Sequence, residues 1–302
     1  MISSKHWNIL SRYSGRIQSN AVATAATSSK TKKTLAHPSR PNIVVVDAVR
    51  TPFLQSGTDY KKLMPHDLQT AAFRGLLHRT RIAPETVGYI VVGTVIQEVK
   101  TANIAREAAL SAGFPNSVPC HTVTMACISS NAAITSCMGM IATGSTDIAV
   151  AGGVEFMSDV PIRVNRKARQ AMLGLGKAKS FGAKAGLGWT IVKNLLNPEL
   201  PAVAEFSTGE TMGHSGDRLC AAFNVSRLDQ DQFAIRSHTN AKNAQEAGKL
   251  VDVIPTYVAG RTEGPVEKDN GVRPSSMEAM AKLKPAFVKP HGTVTAANAS
   301  FL

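Results

Sequence analysis

A mainly parallel β-sheet with helices on both faces is the fold that this sequence predicts. Short β-branched, apolar segments alternate with longer helix-like segments between residues 43 and 151, and this alternation is typical of βαβ units. The 302 residues can bury a sizeable core, and 43% hydrophobic with 18% charged residues is ordinary globular usage. The chain is therefore predicted to be a soluble α/β protein.

The individual elements follow from periodicity and from the residues that end them. Strands are predicted at residues 43–46, 89–95, 118–126 and 148–151, and helices at 66–79, 102–112, 129–143 and 227–247. Gly113, Gly144 and Gly248 follow three of these helices, where a left-handed residue commonly ends a helix. Ser226 and Asp229 are spaced as a capping box at the start of the last helix.

The uncharged stretch 108–146 is predicted to be a buried strand and helix. It has the length of a membrane span, but Pro115, Asn116 and Pro119 interrupt it. The four cysteines form no Cys-x-x-Cys pair and no cluster with zinc spacing, which argues against a metal site or a disulfide scaffold. A reducing compartment is the simpler interpretation.

Cys127 is the candidate nucleophile. It lies in Val-Thr-Met-Ala-Cys-Ile-Ser-Ser-Asn, residues 123–131, where an extended segment turns into a helix of small residues. The N-terminus of a helix favours the thiolate over the thiol, and strand ends of this kind carry the nucleophiles of α/β enzymes. The alternative is a buried, inert cysteine.

The amino terminus has the composition of a mitochondrial transit peptide, which we assign to residues 1–34. Residues 1–46 contain no Asp or Glu but seven Lys and Arg among many Ser and Thr. A disordered basic tail would look similar. Without these seven charges, 27 basic residues face 21 acidic ones, so the high pI does not indicate nucleic-acid binding. Aromatic residues, at 5%, are also too few for a base-stacking surface.

Six blocks of sequence, taken in order, resemble the thiolase family. They are residues 42–53, residues 103–114, the Cys127 segment, residues 151–158, residues 210–214, and residues 283–287 with 292–300. The resemblance implies a three-layer αβα N-terminal domain over residues 35–302, with residues 159–205 as a basic loop insertion. It also implies that the family's second half is absent, with its second cysteine, so we expect this chain to be an incomplete, inactive fragment.

The resemblance further implies a function and a set of ligand positions. The function is that of a 3-ketoacyl-CoA thiolase, or acetyl-CoA C-acyltransferase, of mitochondrial fatty-acid β-oxidation, in which Cys127 forms an acyl-enzyme and its N–H contributes to an oxyanion hole. Met212 would line the acyl or pantetheine pocket, Arg273 would lie near the nucleotide end of coenzyme A, and Ser300 with the Ala296 backbone would contact the pantetheine arm. Coenzyme A is a substrate here, and no cofactor is implied.

The partners that the resemblance implies are 3-ketoacyl-CoA, coenzyme A, a second copy in a homodimer, and the α subunit of a hetero-oligomeric β-oxidation complex. The enzyme would lie in the mitochondrial matrix or at the inner membrane. For the basic insertion three roles stay open: holding coenzyme A phosphates, contacting anionic lipid through residues such as Trp189 and Leu196, or forming a solvated surface.

No general base is assigned within the sequence. His121 precedes Cys127 by six residues, which is about 20 Å along an extended strand and too far for proton transfer. His66, His78 and His214 are likewise taken as structural. Two other functions remain as alternatives: a condensing synthase of related fold, and a non-catalytic module that binds a membrane or a partner through its basic residues.

Overall fold

A three-stranded parallel sheet organises the part of the chain that the computed structural model describes, residues 42–300. β1 (Tyr89–Gly93) lies in the middle, between β2 (Cys120–Val123) and β3 (Ala149–Gly153). The register places Val91 of β1 opposite His121 on one side and Ala151 on the other. The predicted transit peptide, residues 1–34, lies outside the described residues.

Helices cover both faces of this sheet, as predicted. Ile90 and Val92 pack with residues of α1 (Pro65–Thr80) and α2 (Ile104–Ala112) in one buried cluster. Val91 points to the opposite face and packs against Ala133 and Cys137 of α3 (Ser129–Ala142). Successive side chains of a strand alternate between faces, so this short strand holds two helical layers together. The predicted parallel sheet with helices on both faces is confirmed.

The helix ends lie close to their predicted positions because local chemistry sets them. The Asn103 side chain accepts a hydrogen bond from the Arg106 N–H and caps α2, and Gly113 ends it with a φ of +100°. Gly144 follows α3 with a φ of +73°. β1 and β2 are shorter than the strands predicted at residues 89–95 and 118–126, because their ladder runs only from Ile90 and Cys120 to Gly93 and Val123.

The prediction of a strand at residues 43–46 is wrong. These residues have no regular secondary structure: Val44, Val45 and Val46 expose 74%, 86% and 84% of their surface and form no ladder with any described strand. The first pairing in this part of the chain is a single parallel bridge from Arg50 to Val253. A run of β-branched residues predicts extended backbone, but a strand also needs a neighbour for its N–H and C=O groups.

The segment 159–205, predicted as a loop insertion, carries two helices, α4 (Arg166–Leu175) and α5 (Phe181–Leu195). They pack against each other as a hairpin, with Ala168 and Ala171 buried between them. Glu199 closes its base, accepting hydrogen bonds from the Arg166 N–H and the Arg169 guanidinium. None of the helices in residues 42–300 combines the length and hydropathy that crossing a membrane requires.

Three further helices lead toward the carboxyl end: α6 (Met212–Ala222), α7 (Arg227–Glu246) and α8 (Met277–Ala281). The predicted capping box starts α7, with the Ser226 hydroxyl accepting from the Asp229 N–H and the Asp229 carboxylate accepting from the Ser226 N–H. Asp231, buried on α7, pairs with Arg227, whose guanidinium also donates to the Met280 and Leu283 carbonyls. This pair fixes α8 against α7.

Candidate active site

Cys127 lies on a tight turn that joins β2 to α3, at the carboxyl edge of the parallel sheet. Its neighbour Ala126 has a φ of +45°, a left-handed conformation that residues with a Cβ rarely adopt. The turn is exposed, and Cys127 with it. The structure thus places Cys127 at the strand-to-helix junction where the sequence predicts it, and its role as the nucleophile stays a prediction.

Gly93, the last residue of β1, allows the helix to begin this close to the sheet. A Cβ on Gly93 would lie 2.3 Å from the Ser129 carbonyl carbon and 2.5 Å from the Ser130 nitrogen, closer than any side chain can approach. A Cβ on Gly153, at the end of β3, would likewise lie only 1.9 Å from the Ser130 hydroxyl oxygen. Both glycines let the first turn of α3 rest on the strand ends.

The loops that follow the three strands are bonded to one another around this turn. The Thr124 hydroxyl donates to the Thr94 carbonyl at 2.7 Å. The Glu155 carboxylate accepts from the Val95 and Ile96 N–H groups at 2.7 and 3.1 Å. These bonds fix the carboxyl ends of β1, β2 and β3 relative to one another, and Cys127 lies on the turn beside them.

Accessibility separates Cys127 from the other three cysteines, and burial also shifts the thiol pKa of two of them. Cys137 is buried against the sheet, and burial raises the pKa of its thiol. Burial likewise raises the pKa of Cys120, an effect that nearby Arg106 only partly offsets. Cys127 is the one exposed cysteine among the described residues, and within residues 42–300 its thiol makes no hydrogen bond.

The histidines are engaged in contacts of their own. The His121 ring lies against Tyr89, with its Nδ1 3.3 Å from the Tyr89 hydroxyl. His214 Nδ1 lies 2.8 Å from the Thr211 hydroxyl, and its ring packs edge-on against Phe287. No hydrogen bond in residues 42–300 connects a histidine to the Cys127 turn. The structure therefore provides no partner for the thiol from these side chains.

The predicted ligand residues lie on or beside α6 and α7. Met212 begins α6 and is exposed. The Arg273 N–H donates to His238 Nδ1 on α7, and Ala296 and Ser300 are exposed in the loop after α8. No hydrogen bond in residues 42–300 joins Met212, Ala296 or Ser300 to the nucleophile turn, residues 125–129. The roles of these three residues and of Arg273 stay predictions.

The segment that carries Ala296 and Ser300 is nevertheless held firmly. Burial would raise the pKa of Asp217, but hydrogen bonds from the Val294, Thr293 and Val288 N–H groups outweigh it and hold the pKa below its ordinary value. Asn298 adds a second anchor, donating to Asp231 at 2.9 Å. The loop is thereby fixed to α6 and α7 together.

A groove of about 460 Å³ lies between residues 47–56 and the outer edge of β3, and Cys127 is not among its lining residues. Gln69, buried on α1, and Tyr60 also line it. Within residues 42–300 no set of His, Cys, Asp and Glu side chains is arranged to hold a metal ion. Among the described residues, the exposed Cys127 thiol on its left-handed turn is a side chain of the type that serves as a nucleophile.

Several residues of this site were not predicted from the sequence: Gly93, Thr124, Ser129 and Glu155. A glycine directly after a buried strand was a signal that could have marked Gly93, because such glycines permit close backbone approach. Glu155 had no local signal. Its partners are 60 and 59 residues away in sequence.

Comparison with known proteins supplies a family. The description "Thiolase, N-terminal domain" matches residues 43–302. The mitochondrial trifunctional enzyme subunit beta of Homo sapiens is 65% identical over 280 residues, 93% of this chain and 59% of the relative, and a probable 3-ketoacyl-CoA thiolase of Caenorhabditis elegans is 60% identical over 282 residues, 93% and 63%. The chain thus spans roughly three fifths of the length of these relatives.

A solved structure supports the same fold. The crystal structure of the Bacillus anthracis acetyl-CoA acetyltransferase superposes with a TM-score of 0.73 at 31% identity, covering 87% of this chain and 63% of that one. The sheet, the two helical layers and the nucleophile turn described above all lie within the residues that the family description matches.

Proposed function

Because this chain belongs to the thiolase family, we propose that it carries the nucleophile of a 3-ketoacyl-CoA thiolase, an acetyl-CoA C-acyltransferase of mitochondrial fatty-acid β-oxidation. The observation that carries the proposal is Cys127, the exposed thiol on a left-handed turn at the N-terminus of α3. The sequence resemblance to the family, and within it to the β subunit of the mitochondrial trifunctional protein, is confirmed by the relatives.

The reaction assigned to Cys127 is a cleavage in two displacements. The thiolate attacks the keto carbon of 3-ketoacyl-CoA, and the bond between that carbon and the neighbouring methylene breaks. Its electron pair leaves on acetyl-CoA as an enolate, which takes up a proton. Coenzyme A thiolate then attacks the acyl thioester on Cys127 and releases the shortened acyl-CoA together with the free Cys127 thiolate.

The Cys127 N–H is the donor that we assign to the oxyanion of the second displacement. The backbone hydrogen bonds of the turn are made by the Ile128 and Ser129 N–H groups to the Met125 and Ala126 carbonyls. The N–H of Cys127 is not used by these bonds and lies at the start of a helix, where a developing negative charge is stabilised. The coenzyme A arm would run along the Thr293–Ser300 loop, with Arg273 and Met212 at its two ends.

The assembly and location follow the relatives. The β-subunit name of relatives at 65% identity supports an α subunit of the trifunctional complex as a partner, and their mitochondrial names support a mitochondrial location. A homodimer, and a position in the matrix or on the inner membrane, are parts of the same proposal. The related condensing synthase and the non-catalytic binding module stay as alternatives, and the alkylation test below has an outcome that favours the second.

Selective alkylation tests the nucleophile. In the 302-residue chain, iodoacetamide should label exposed Cys127 faster than Cys137, which is buried, and faster than Cys120 and Cys220, which are partly buried. Peptide mapping gives all four rates in one sample, and an acyl-CoA should slow only the Cys127 reaction. Equal labelling of Cys127 and Cys220, without protection, would favour a non-catalytic module.

For the helical hairpin α4–α5 we propose contact with an anionic membrane surface. Phe181, Trp189 and Leu196 expose 88%, 69% and 93% of their surface, although each is large and apolar. Lys177 and Lys179 are exposed in the loop between the helices, and Phe181 follows them closely in sequence. Apolar side chains flanked by lysines are typical of segments that lie in a lipid interface. Arg169 is less available, because it already pairs with Glu199.

Replacing Lys177 and Lys179 with glutamine should weaken binding to cardiolipin-containing vesicles about 25-fold, since each lysine near an anionic surface contributes roughly 1 kcal/mol. Vesicle co-sedimentation at several salt concentrations measures this. Lys61→Gln with Lys62→Gln removes a matched exposed pair elsewhere and should change nothing. If the hairpin instead holds coenzyme A phosphates, the Lys177 and Lys179 variant would leave vesicle binding intact and weaken coenzyme A binding.

A further inference from the structure

We propose that Ser129 is a positioning residue for Cys127. Its hydroxyl fixes the left-handed turn at Ala126, and that turn sets the direction of the Cys127 N–H and thiol. The inference rests on the proposed function, since it assumes that Cys127 is the nucleophile. It concerns a side chain that never needs to touch substrate.

The Ser129 side chain is enclosed in the turn that it holds. Ser129 is 4% exposed, although it is the first residue of α3 at an otherwise exposed corner. Its Oγ accepts from the Met125 N–H at 2.9 Å and donates to the Ala126 carbonyl at 2.6 Å. Its own N–H reaches the same Ala126 carbonyl at 3.2 Å. Ser129 therefore binds both residues that precede Cys127.

These bonds stabilise a strained backbone conformation at Ala126. Ala126 holds a φ of +45°, where its Cβ crowds the following carbonyl, so the backbone needs specific partners to stay there. The Ser129 hydroxyl and N–H are the groups that bind the Ala126 carbonyl. Without the hydroxyl, the turn keeps one of these two bonds and loses the acceptor for the Met125 N–H. Relaxation of Ala126 then moves Cys127 away from the helix axis.

The effect should stay local to the turn. The hydroxyl bonds only residues 125 and 126, so its removal breaks no contact between elements. The position of Ser129 itself is fixed by its backbone, which rests on Gly93. A hydroxyl that served only to stabilise the fold would change unfolding, whereas a positioning hydroxyl changes the reactivity of a thiol two residues away.

The test compares alkylation rates of Cys127 in four forms of the 302-residue chain: wild type, Ser129→Ala, Ser129→Ala with Ala126→Gly, and Ser136→Ala. Ser129→Ala should slow the labelling of Cys127 relative to Cys220 roughly two- to fivefold, the range expected when a charge loses its place at a helix N-terminus. Adding Ala126→Gly should restore most of the rate, because glycine adopts a positive φ without cost. Ser136→Ala removes a hydroxyl bonded to the Ala132 carbonyl farther along α3, and should leave the rate unchanged.

Buried Cys137 reports folding in each sample, because it should stay unlabelled while the core is intact. Wild-type rates after Ser129→Ala would overturn the inference, and so would a loss that Ala126→Gly does not restore. If Ser129→Ala unfolds the chain, the double variant decides: a folded chain with normal Cys127 labelling supports the inference, and an unfolded one overturns it. Failure of the proposed function is distinct, since wild-type Cys127 would then react no faster than Cys220.

Discussion

Cys127→Ser is expected to abolish thiolysis in the thiolase that contains these residues, with kcat falling by about 10³-fold or more. A serine hydroxyl keeps the size and position of the side chain but is almost un-ionised near neutral pH, so the first displacement loses its nucleophile. The unchanged turn geometry makes the loss chemical rather than structural. Acetyl-CoA release from a 3-ketoacyl-CoA, followed at saturating coenzyme A, measures it.

Cys220→Ser is the matched control for this substitution. Cys220 lies on α6, is partly exposed like many surface thiols, and shares no hydrogen bond with the nucleophile turn. Its replacement should leave kcat within about twofold of the wild type, because a surface substitution away from the site changes little. Retention of more than a tenth of the wild-type turnover by Cys127→Ser would contradict the nucleophile assignment.

Much of the fold between residues 65 and 153 was predictable because the signals there are local. Asn103 and Gly113 mark the ends of α2 by their own side-chain and backbone chemistry. Ile90, Val91 and Val92 are apolar without interruption, as the central strand of a sheet covered on both faces must be. Residues 43–46 carry an equally strong local signal, and there the prediction failed because strand formation depends on a partner elsewhere in the chain.

The site was predictable only in its centre. Cys127 stands out because the change from extended to helical sequence is visible around it. The groups that hold its turn were not visible, since Gly93 and Glu155 act through contacts between distant parts of the chain. Ser129 lies only two residues from Cys127, yet the bonds of its hydroxyl depend on the left-handed φ of Ala126, which the sequence does not give. The sequence could have marked Ser129 as a candidate for a bond to the turn, but not the residues that it bonds.

The 302-residue chain by itself is expected to show no measurable turnover of a 3-ketoacyl-CoA. Within residues 42–300 the Cys127 thiol has no hydrogen-bond partner, and His121 and His214 are engaged with Tyr89 and Thr211. Lack of a positioned general base costs roughly 10²- to 10⁴-fold in rate. The departing acetyl-CoA enolate also needs a proton, so an acid is required at the same site, and the two losses multiply.

The assay is thiolysis by the purified chain, with an active thiolase under the same conditions as the positive control. Alkylation of Cys127 in the same preparation shows that the nucleophile is present and folded, which separates a missing base from a missing thiol. Turnover within tenfold of the control, removed by His214→Asn but not by His78→Asn, would contradict the expectation. His214 would then be the base, because it is exposed at the start of α6 and its Nδ1 is the nitrogen held by Thr211, which leaves Nε2 to take the proton.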